Sequence, residues 1–133
     1  YEIRNPYFKG CMGEKNNSGI AGGTNGWLKA CCIFEGFMDY LSYLTLLKRN
    51  CFSICIRHPT DYIILNSVNN IKKVQPILDE YDHIHCYLDN DNAGKVATEY
   101  IIGIQQAKAI DESYRYNGCK DLNDYLRGKQ LLK

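Results

Sequence analysis

The chain has 133 residues and a formal net charge of +1, a size that suits one domain with a real hydrophobic core. Because basic and acidic residues nearly balance, the net charge neither indicates nor excludes nucleic-acid binding. No apolar run reaches the ~18 residues of a membrane span, and the first residues lack a signal-peptide pattern, so we expect no membrane partner. The chain begins at Tyr1 rather than Met, and we therefore expect it to be part of a longer protein.

The first 26 residues differ in composition from the rest, because six glycines alternate there with Asn and Lys. So many turn-forming residues predict loops or hairpins, with short strand pieces near Ile3 and Tyr7-Phe8. We divide the chain into an N-terminal arm, residues 1–27, and a domain, residues 28–133.

From Leu28 onward, apolar strand-like runs alternate with helical patterns. The predicted strands are 30–35, 62–65, 84–88 and 109–114, and the predicted helices are 37–47, 71–81, 94–107 and 121–132. In the first helix, we expect the buried face to be Phe37, Met38, Leu41, Leu44 and Leu47. Alternation of this kind predicts an α/β fold with a mainly parallel sheet of about four strands and helices on both faces.

Seven cysteines are many for a chain of this length. Cys31, Cys32 and Cys86 lie inside apolar runs, where free cysteine behaves as a small hydrophobic residue. Cys51 and Cys55 have no second Cys/His pair nearby, as a structural zinc site would require. We expect buried, reduced thiols in a cytoplasmic protein rather than a zinc site.

Acidic residues follow two of the predicted strands. Glu35 ends the first strand and Asp39 lies one helical turn further on, whereas Asp89 and Asp91 follow the strand 84–88. The carboxyl ends of parallel strands meet at one edge, where open α/β sheets place their active sites. Carboxylates converging there would repel one another unless a divalent cation joined them, so the pattern favours Mg²⁺-dependent phosphoryl transfer.

Two glycines accompany these acids, and simpler interpretations exist. Gly36 leaves space beside Glu35, and Gly94 would let the main chain approach a phosphate. A single acid at a strand end is most often a solvated helix cap. Residues 89–94 also resemble the start of a calcium loop, but the twelfth position is Tyr100 rather than glutamate. The Asp-x-Asp motif of haloacid-dehalogenase-type phosphatases usually follows the first strand, and here it follows the third.

A strand ending in Glu-Gly-x-x-Asp, followed about 50 residues later by a strand ending in Asp-x-Asp-x-Ala-Gly, resembles the TOPRIM domain. Bacterial DnaG-type DNA primases, topoisomerases and several nucleases share this domain. The resemblance covers residues 28–127. Residues 118–126 are similar to the Lys-Asp-Pro-Asp-Glu-Tyr-Leu stretch that closes the domain in primases. Asp121 matches the first acid of this stretch, but Asn123 stands where the second acid is expected. Either one metal ligand is missing here, or Asp124 takes its place.

The resemblance implies a Rossmann-like TOPRIM fold and a primase-type nucleotidyltransferase that makes RNA primers on single-stranded DNA from nucleoside triphosphates. It implies that Glu35, Asp89 and Asp91 are catalytic. The same three residues, with Asp39 and Asp121, would bind Mg²⁺ or Mn²⁺. In a two-metal phosphoryl transfer, one ion activates the attacking oxygen and the other stabilises the leaving group.

The arm gains a role from the same resemblance, because Lys9-Gly10 is similar to the basic segment that precedes TOPRIM in primases. The arm would be the remnant of a preceding primase subdomain. Three basic residues of the arm, Arg4, Lys9 and Lys15, are expected to contact nucleic-acid phosphates, together with Lys29 of the domain. We expect a monomer that works with a replicative helicase through the rest of the parent protein.

Two alternatives stay open from the sequence. The chain could be a TOPRIM nuclease or a topoisomerase fragment, although the Lys120-Asp121 segment and the Lys9-Gly10 arm favour primase. It could also be a non-catalytic module that binds metal or nucleic acid, an alternative that rests on Asn123.

Overall fold

The computed structural model describes residues 8–10, 29–57 and 60–128. Its strands are β1 (Phe8–Gly10), β2 (Ala30–Phe34), β3 (Asp61–Ile64), β4 (His83–Tyr87) and β5 (Ala109–Asp111). Its α-helices are α1 (Phe37–Lys48), α2 (Ile71–Leu78), α3 (Asn92–Gln105) and α4 (Leu122–Arg127).

The strands form one sheet in the order β1-β3-β2-β4-β5. The four strands β3, β2, β4 and β5 run parallel, and β1 pairs antiparallel with β3 at the edge. Phe34 lies opposite Ile64 on one side and Tyr87 on the other, so β2 and β4 end at the same level. The predicted α/β fold with a mainly parallel sheet is confirmed.

Two helices pack against each face of the sheet. Because side chains alternate along a strand, each strand contributes residues to both cores. In β2, Cys31 and Ile33 join the core that includes residues of α2 and α3, such as Val74 and Ile101. Cys32 and Phe34 point the other way, into a core formed with residues of α1 and the start of α4. The prediction of helices on both faces is therefore confirmed.

The core on the α1 side contains several tyrosines, and the hydroxyl groups of two of them have main-chain hydrogen-bond partners. Tyr43 and Tyr87 pack on Phe34 with ring centroids 5.2 and 5.6 Å away. The Tyr43 hydroxyl accepts a hydrogen bond from the Ile56 main-chain N–H at 2.9 Å, and the Tyr87 hydroxyl donates to the Ile54 carbonyl at 2.5 Å. Burial of these two tyrosines is tolerated because each hydroxyl has such a partner.

The predicted buried face of α1 is wrong for its first three residues, whereas Leu44 and Leu47 are partly buried against the core. Phe37, Met38 and Leu41 are among the exposed large apolar residues of the structure. The helix instead buries residues one position away from that stripe: Asp39, Tyr40, Ser42, Tyr43 and Leu46. The inward face is made of tyrosine rings around Phe34 and polar groups facing α4, which apolar periodicity alone does not recognise.

Other elements shift by a few residues. The predicted helix 71–81 ends at Leu78 and contains Pro76, and the predicted strand 109–114 ends at Asp111. The last helix begins after Asp121, and its predicted end lies outside the described residues. No helix within the described ranges is long and apolar enough to cross a membrane.

The described cysteines are all free thiols, as the sequence predicts. Cys31, Cys32, Cys55, Cys86 and Cys119 are buried, and Cys51 is half-buried. Burial raises the pKa of the Cys32 thiol to about 12, so this thiol is a poor nucleophile. The division of the chain at residues 27 and 28 stays a prediction, although Phe8–Gly10 of the arm adds a strand to the sheet.

Candidate metal centre

Three carboxylates converge at the carboxyl edge of the sheet. Asp89 follows β4, Asp39 lies in the first turn of α1, and Asp121 caps the amino end of α4. One oxygen of each lies within 4.8 Å of an oxygen of the other two. The three acids thus come from three places: the end of β4, the first turn of α1 and the loop before α4.

Asp39 and Asp121 are held by main-chain donors of α4. The Asn123 N–H donates to Asp39 Oδ1 at 3.2 Å, and the Asp124 N–H donates to Asp121 Oδ1 at 2.8 Å. Asn123 therefore contacts an acid of the cluster through its main chain. Its side-chain Oδ1 accepts from the Ser42 hydroxyl at 3.2 Å, which joins α4 to α1.

Asp89 contributes an oxygen that no protein group satisfies among the described residues. Its Oδ1 is buried and has no hydrogen-bond partner there. An unsatisfied buried carboxylate oxygen costs free energy unless a ligand or ion contacts it. The structure therefore leaves Asp89 Oδ1 available to such a group.

The charges of the cluster disfavour ionisation. Burial, followed by the neighbouring carboxylates, raises the pKa of Asp89 to about 8 and the pKa of Asp39 to about 7. The main contributing neighbours are Glu35 for Asp89 and Asp121 for Asp39. Excess negative charge among oxygen ligands is the setting that a hard divalent cation such as Mg²⁺ or Mn²⁺ fits.

Glu35 and Asp91 lie beside this group of three and are not part of it. Glu35 Oε1 accepts from the Asp89 N–H at 3.4 Å, and burial raises the pKa of Glu35. Asp91 Oδ1 caps α3 by accepting from the Gly94 N–H at 2.8 Å, and its Oδ2 lies 4.0 Å from Lys120 Nζ. Their assignment as metal ligands stays a prediction.

The structure requires glycine at position 94 but not at position 36. A Cβ on Gly94 would overlap the main-chain carbonyl oxygen of Asp89, so only glycine allows α3 to approach the end of β4. Its N–H is used by Asp91. A Cβ on Gly36 would meet only Asp39 Oδ2, at an ordinary 3.8 Å. The predicted approach of a phosphate to either glycine is untested.

Of the residues predicted to bind nucleic acid, only Lys29 has a described side chain, and it does not lie at this edge. Arg4 and Lys15 lie outside the described residues, and of Lys9 only its place in β1 is described. Lys29 precedes β2 at the opposite edge, 3.9 Å from a Glu80 carboxylate oxygen. Two lysines that the sequence analysis did not select do flank the acids: Lys95 and Lys120.

The family of the chain follows from a family model described as Toprim-like, which matches residues 32–126. The chain belongs to the Toprim-like family. The match covers the three acids of the centre and the neighbouring Glu35 and Asp91, and it confirms the resemblance seen in the sequence. No curated protein matches the chain in sequence.

Two solved structures resemble this Toprim-like domain. One is the primase fragment of the bacteriophage T7 primase-helicase protein, with 23% identity and a TM-score of 0.52 over 75% of this chain. The other contains bacteriophage T7 lagging-strand DNA polymerase with primase domains bound to an RNA/DNA hybrid and dTTP, with 24% identity and a TM-score of 0.52 over 80% of this chain. The matches span 40% and 53% of those chains, and at this identity they show a shared fold.

Proposed function

We propose that this Toprim-like domain is the catalytic core of a DNA primase, which joins nucleoside triphosphates into RNA primers on single-stranded DNA. The observation that carries the proposal is the convergence of Asp39, Asp89 and Asp121 around a buried, unsatisfied carboxylate oxygen. The primase named in both similar structures supports the reaction class. The Lys120-Asp121 segment, which resembles primases in sequence, adds one of the three acids.

The acids divide into two roles in this proposal. Asp39, Asp89 and Asp121 would hold Mg²⁺ or Mn²⁺, which would neutralise phosphate charge and lower the pKa of an attacking hydroxyl. Glu35 accepts the N–H of Asp89 and so orients that residue from the adjacent strand. Asp91 orients the start of α3 and lies near Lys120, which places a positive charge at the rim of the centre.

Phosphate contacts would come from lysines that flank the acids. Lys120 is half exposed and lies beside Asp91, and Lys95 Nζ donates to Asn90 Oδ1 at 3.1 Å. Both can reach the phosphates of an incoming nucleotide because their amines lie at the same edge as the cluster. Arg4, Lys9 and Lys15 of the arm would contact template phosphates. Lys29, at the opposite edge, is not included.

The isolated domain can be inactive even with an intact site, so the activity test uses a longer form of the protein that contains it. This protein is incubated with a single-stranded DNA template, labelled nucleoside triphosphates and Mn²⁺. Synthesis of short RNA supports primase, cleavage of labelled DNA supports a nuclease or topoisomerase, and binding without either reaction supports a non-catalytic module. Asp89→Asn should reduce synthesis at least about 100-fold, because outer ligand contacts alone are worth 10–100-fold. Glu99→Gln, which changes an exposed carboxylate on α3, is the matched control and should keep full activity.

The remaining expectations belong to the same proposal. A replicative helicase would act through the rest of the parent protein, since this chain spans about half or less of the similar primase chains. A cytoplasmic location and a monomeric state are proposed with it. A primer-synthesis assay on the longer parent protein, with and without a purified replicative helicase, would test the first of these, and the helicase should increase primer yield.

A further inference from the structure

Asn90 lies between Asp89 and Asp91 and has no ligand role in the proposed function. Its main-chain N–H donates to the Lys120 carbonyl at 2.6 Å. Its side-chain amide nitrogen lies 3.0 Å from the Cys119 carbonyl oxygen. The same nitrogen is 3.4 Å from two further carbonyl oxygens of the same segment, those of Ser113 and Tyr116. Asn90 is thus enclosed by carbonyl groups of residues 113–120.

Residues 113–120 are the segment that delivers Asp121 to the cluster. They form a 3₁₀ turn, Ser113–Tyr116, and then a tight turn in which Gly118 has a φ of +96°. Carbonyl groups of such a segment have no strand partner and need other donors. The Tyr116 carbonyl accepts from the Cys119 N–H at 3.0 Å, and the Cys119 carbonyl accepts from the Asn90 amide. The Tyr116 hydroxyl in turn donates to the Leu88 carbonyl at 2.6 Å.

The orientation of the Asn90 amide is fixed by its other end. Lys95 Nζ donates to Asn90 Oδ1 at 3.1 Å, so the oxygen of the amide faces Lys95 and its NH₂ group faces the carbonyls. Aspartate at this position would offer no donor to those carbonyls. The contacts therefore depend on the carboxamide itself.

We propose that Asn90 is a positioning residue that fixes the separation of Asp89 and Asp121. The inference rests on the proposed function, in which these acids hold a divalent cation. The segment carrying Asp121 is attached to the strand end through Asn90 and Tyr116, and these contacts set the distance between Asp121 and Asp89 before the cation binds. Mg²⁺ demands near-ideal geometry, so a displaced Asp121 weakens binding.

The test measures Mn²⁺ affinity by calorimetry on the whole chain, together with thermal unfolding in the absence of metal. Asn90→Ala should weaken Mn²⁺ binding about 10-fold, the effect expected for an outer contact that orients a ligand. Asn90→Ser keeps a shorter side chain whose hydroxyl can donate to one carbonyl only, so it should weaken Mn²⁺ binding less. This variant tests the proposal if the alanine variant does not fold.

The matched control is Asn70→Ala, which removes another asparagine amide that donates to a main-chain carbonyl. Asn70 Nδ2 donates to the Leu65 carbonyl at 2.7 Å, at the start of α2 on the other face of the sheet from α4. This variant should unfold at a lower temperature and bind Mn²⁺ as the wild type does. Comparing the two variants shows whether weaker Mn²⁺ binding comes from lower stability or from a displaced Asp121.

Three results would overturn the inference. Wild-type Mn²⁺ affinity in Asn90→Ala, with binding still lost in Asp89→Asn, would refute the role of Asn90 and leave the proposed function intact. Equal losses of affinity in Asn90→Ala and Asn70→Ala would show that stability alone is responsible. Equal, negligible binding by the wild type and Asp89→Asn would refute the cation site and this inference together.

Discussion

Gly94 shows how one residue fixes the geometry of the acidic edge. A side chain at this position would overlap the Asp89 carbonyl oxygen. The main-chain N–H of Gly94 donates to the Asp91 carboxylate. The glycine therefore allows α3 to start directly behind the acid that follows β4. The glycine allows close packing of the main chain, and the phosphate contact expected from the sequence stays a prediction.

We predict opposite effects of alanine at two glycines of the same helix. Gly94→Ala should lower the free energy of unfolding by about 1–3 kcal/mol, because the main chain must move to admit the methyl group. Gly103→Ala meets no atom within 4 Å and should raise it by about 0.5–1 kcal/mol, because alanine favours helix. Urea unfolding measures both, and equal effects would contradict the packing argument.

Asn123 illustrates a residue whose role changes between sequence and structure. In the sequence it stands where the resemblance places a second acid, and it suggests a lost ligand. In the structure its N–H bonds Asp39 and its side chain bonds Ser42, so it holds an acid rather than replacing one. The alternative of a non-catalytic module, which rests on the missing acid at Asn123, stays open.

At the scale of elements, the loop after β5 is anchored by a buried ionic network. Glu112 is 3% exposed, and its carboxylate contacts His85 Nδ1 at 2.7 Å and Arg115 Nε at 2.6 Å. Burial alone would raise the pKa of Glu112, but the hydrogen bonds to His85 and Arg115 outweigh it and lower the pKa below 4.5. This network fixes the start of the segment that leads to Asp121.

Glu112→Gln should destabilise the protein by about 1.5–3 kcal/mol at neutral pH, since hydrogen bonds to charged groups contribute that much. A carboxylate with a lowered pKa stabilises the fold above its ordinary pKa of 4.5, and this contribution disappears as the pH falls. The difference between wild type and variant should therefore shrink in acid. Urea unfolding at several pH values checks this, and a difference independent of pH would contradict it. Glu99→Gln again serves as the exposed control.

At the scale of the whole molecule, the strand order decides which acids can meet. β2 lies between β3 and β4, so Glu35 and Asp89 end on adjacent strands. The helix α1 leaves from the end of β2 and packs against α4, and this contact brings Asp39 and Asp121 to the same edge. A local change in either helix therefore alters the centre through packing.

Divalent cations should stabilise the whole fold if the centre binds them. At a concentration 100-fold above the dissociation constant, a bound ion adds about 2.7 kcal/mol, so Mn²⁺ should raise the melting temperature by on the order of 10 °C. Asp89→Ala should lose this gain, and Glu99→Gln should keep it. Differential scanning calorimetry with and without Mn²⁺ measures the effect. An unchanged melting temperature in the wild type would argue against the site.

The sequence by itself determined the alternation of strands and helices, the parallel sheet and the strand-end position of Glu35 and Asp89. These follow from local periodicity, because a buried parallel strand requires a continuous apolar run and its crossover requires a helix. Only the tertiary structure decided that Asp39 and Asp121 join Asp89, while Asp91 caps a helix. That choice depends on hydrogen bonds between residues far apart in the chain, and no local pattern specifies such contacts.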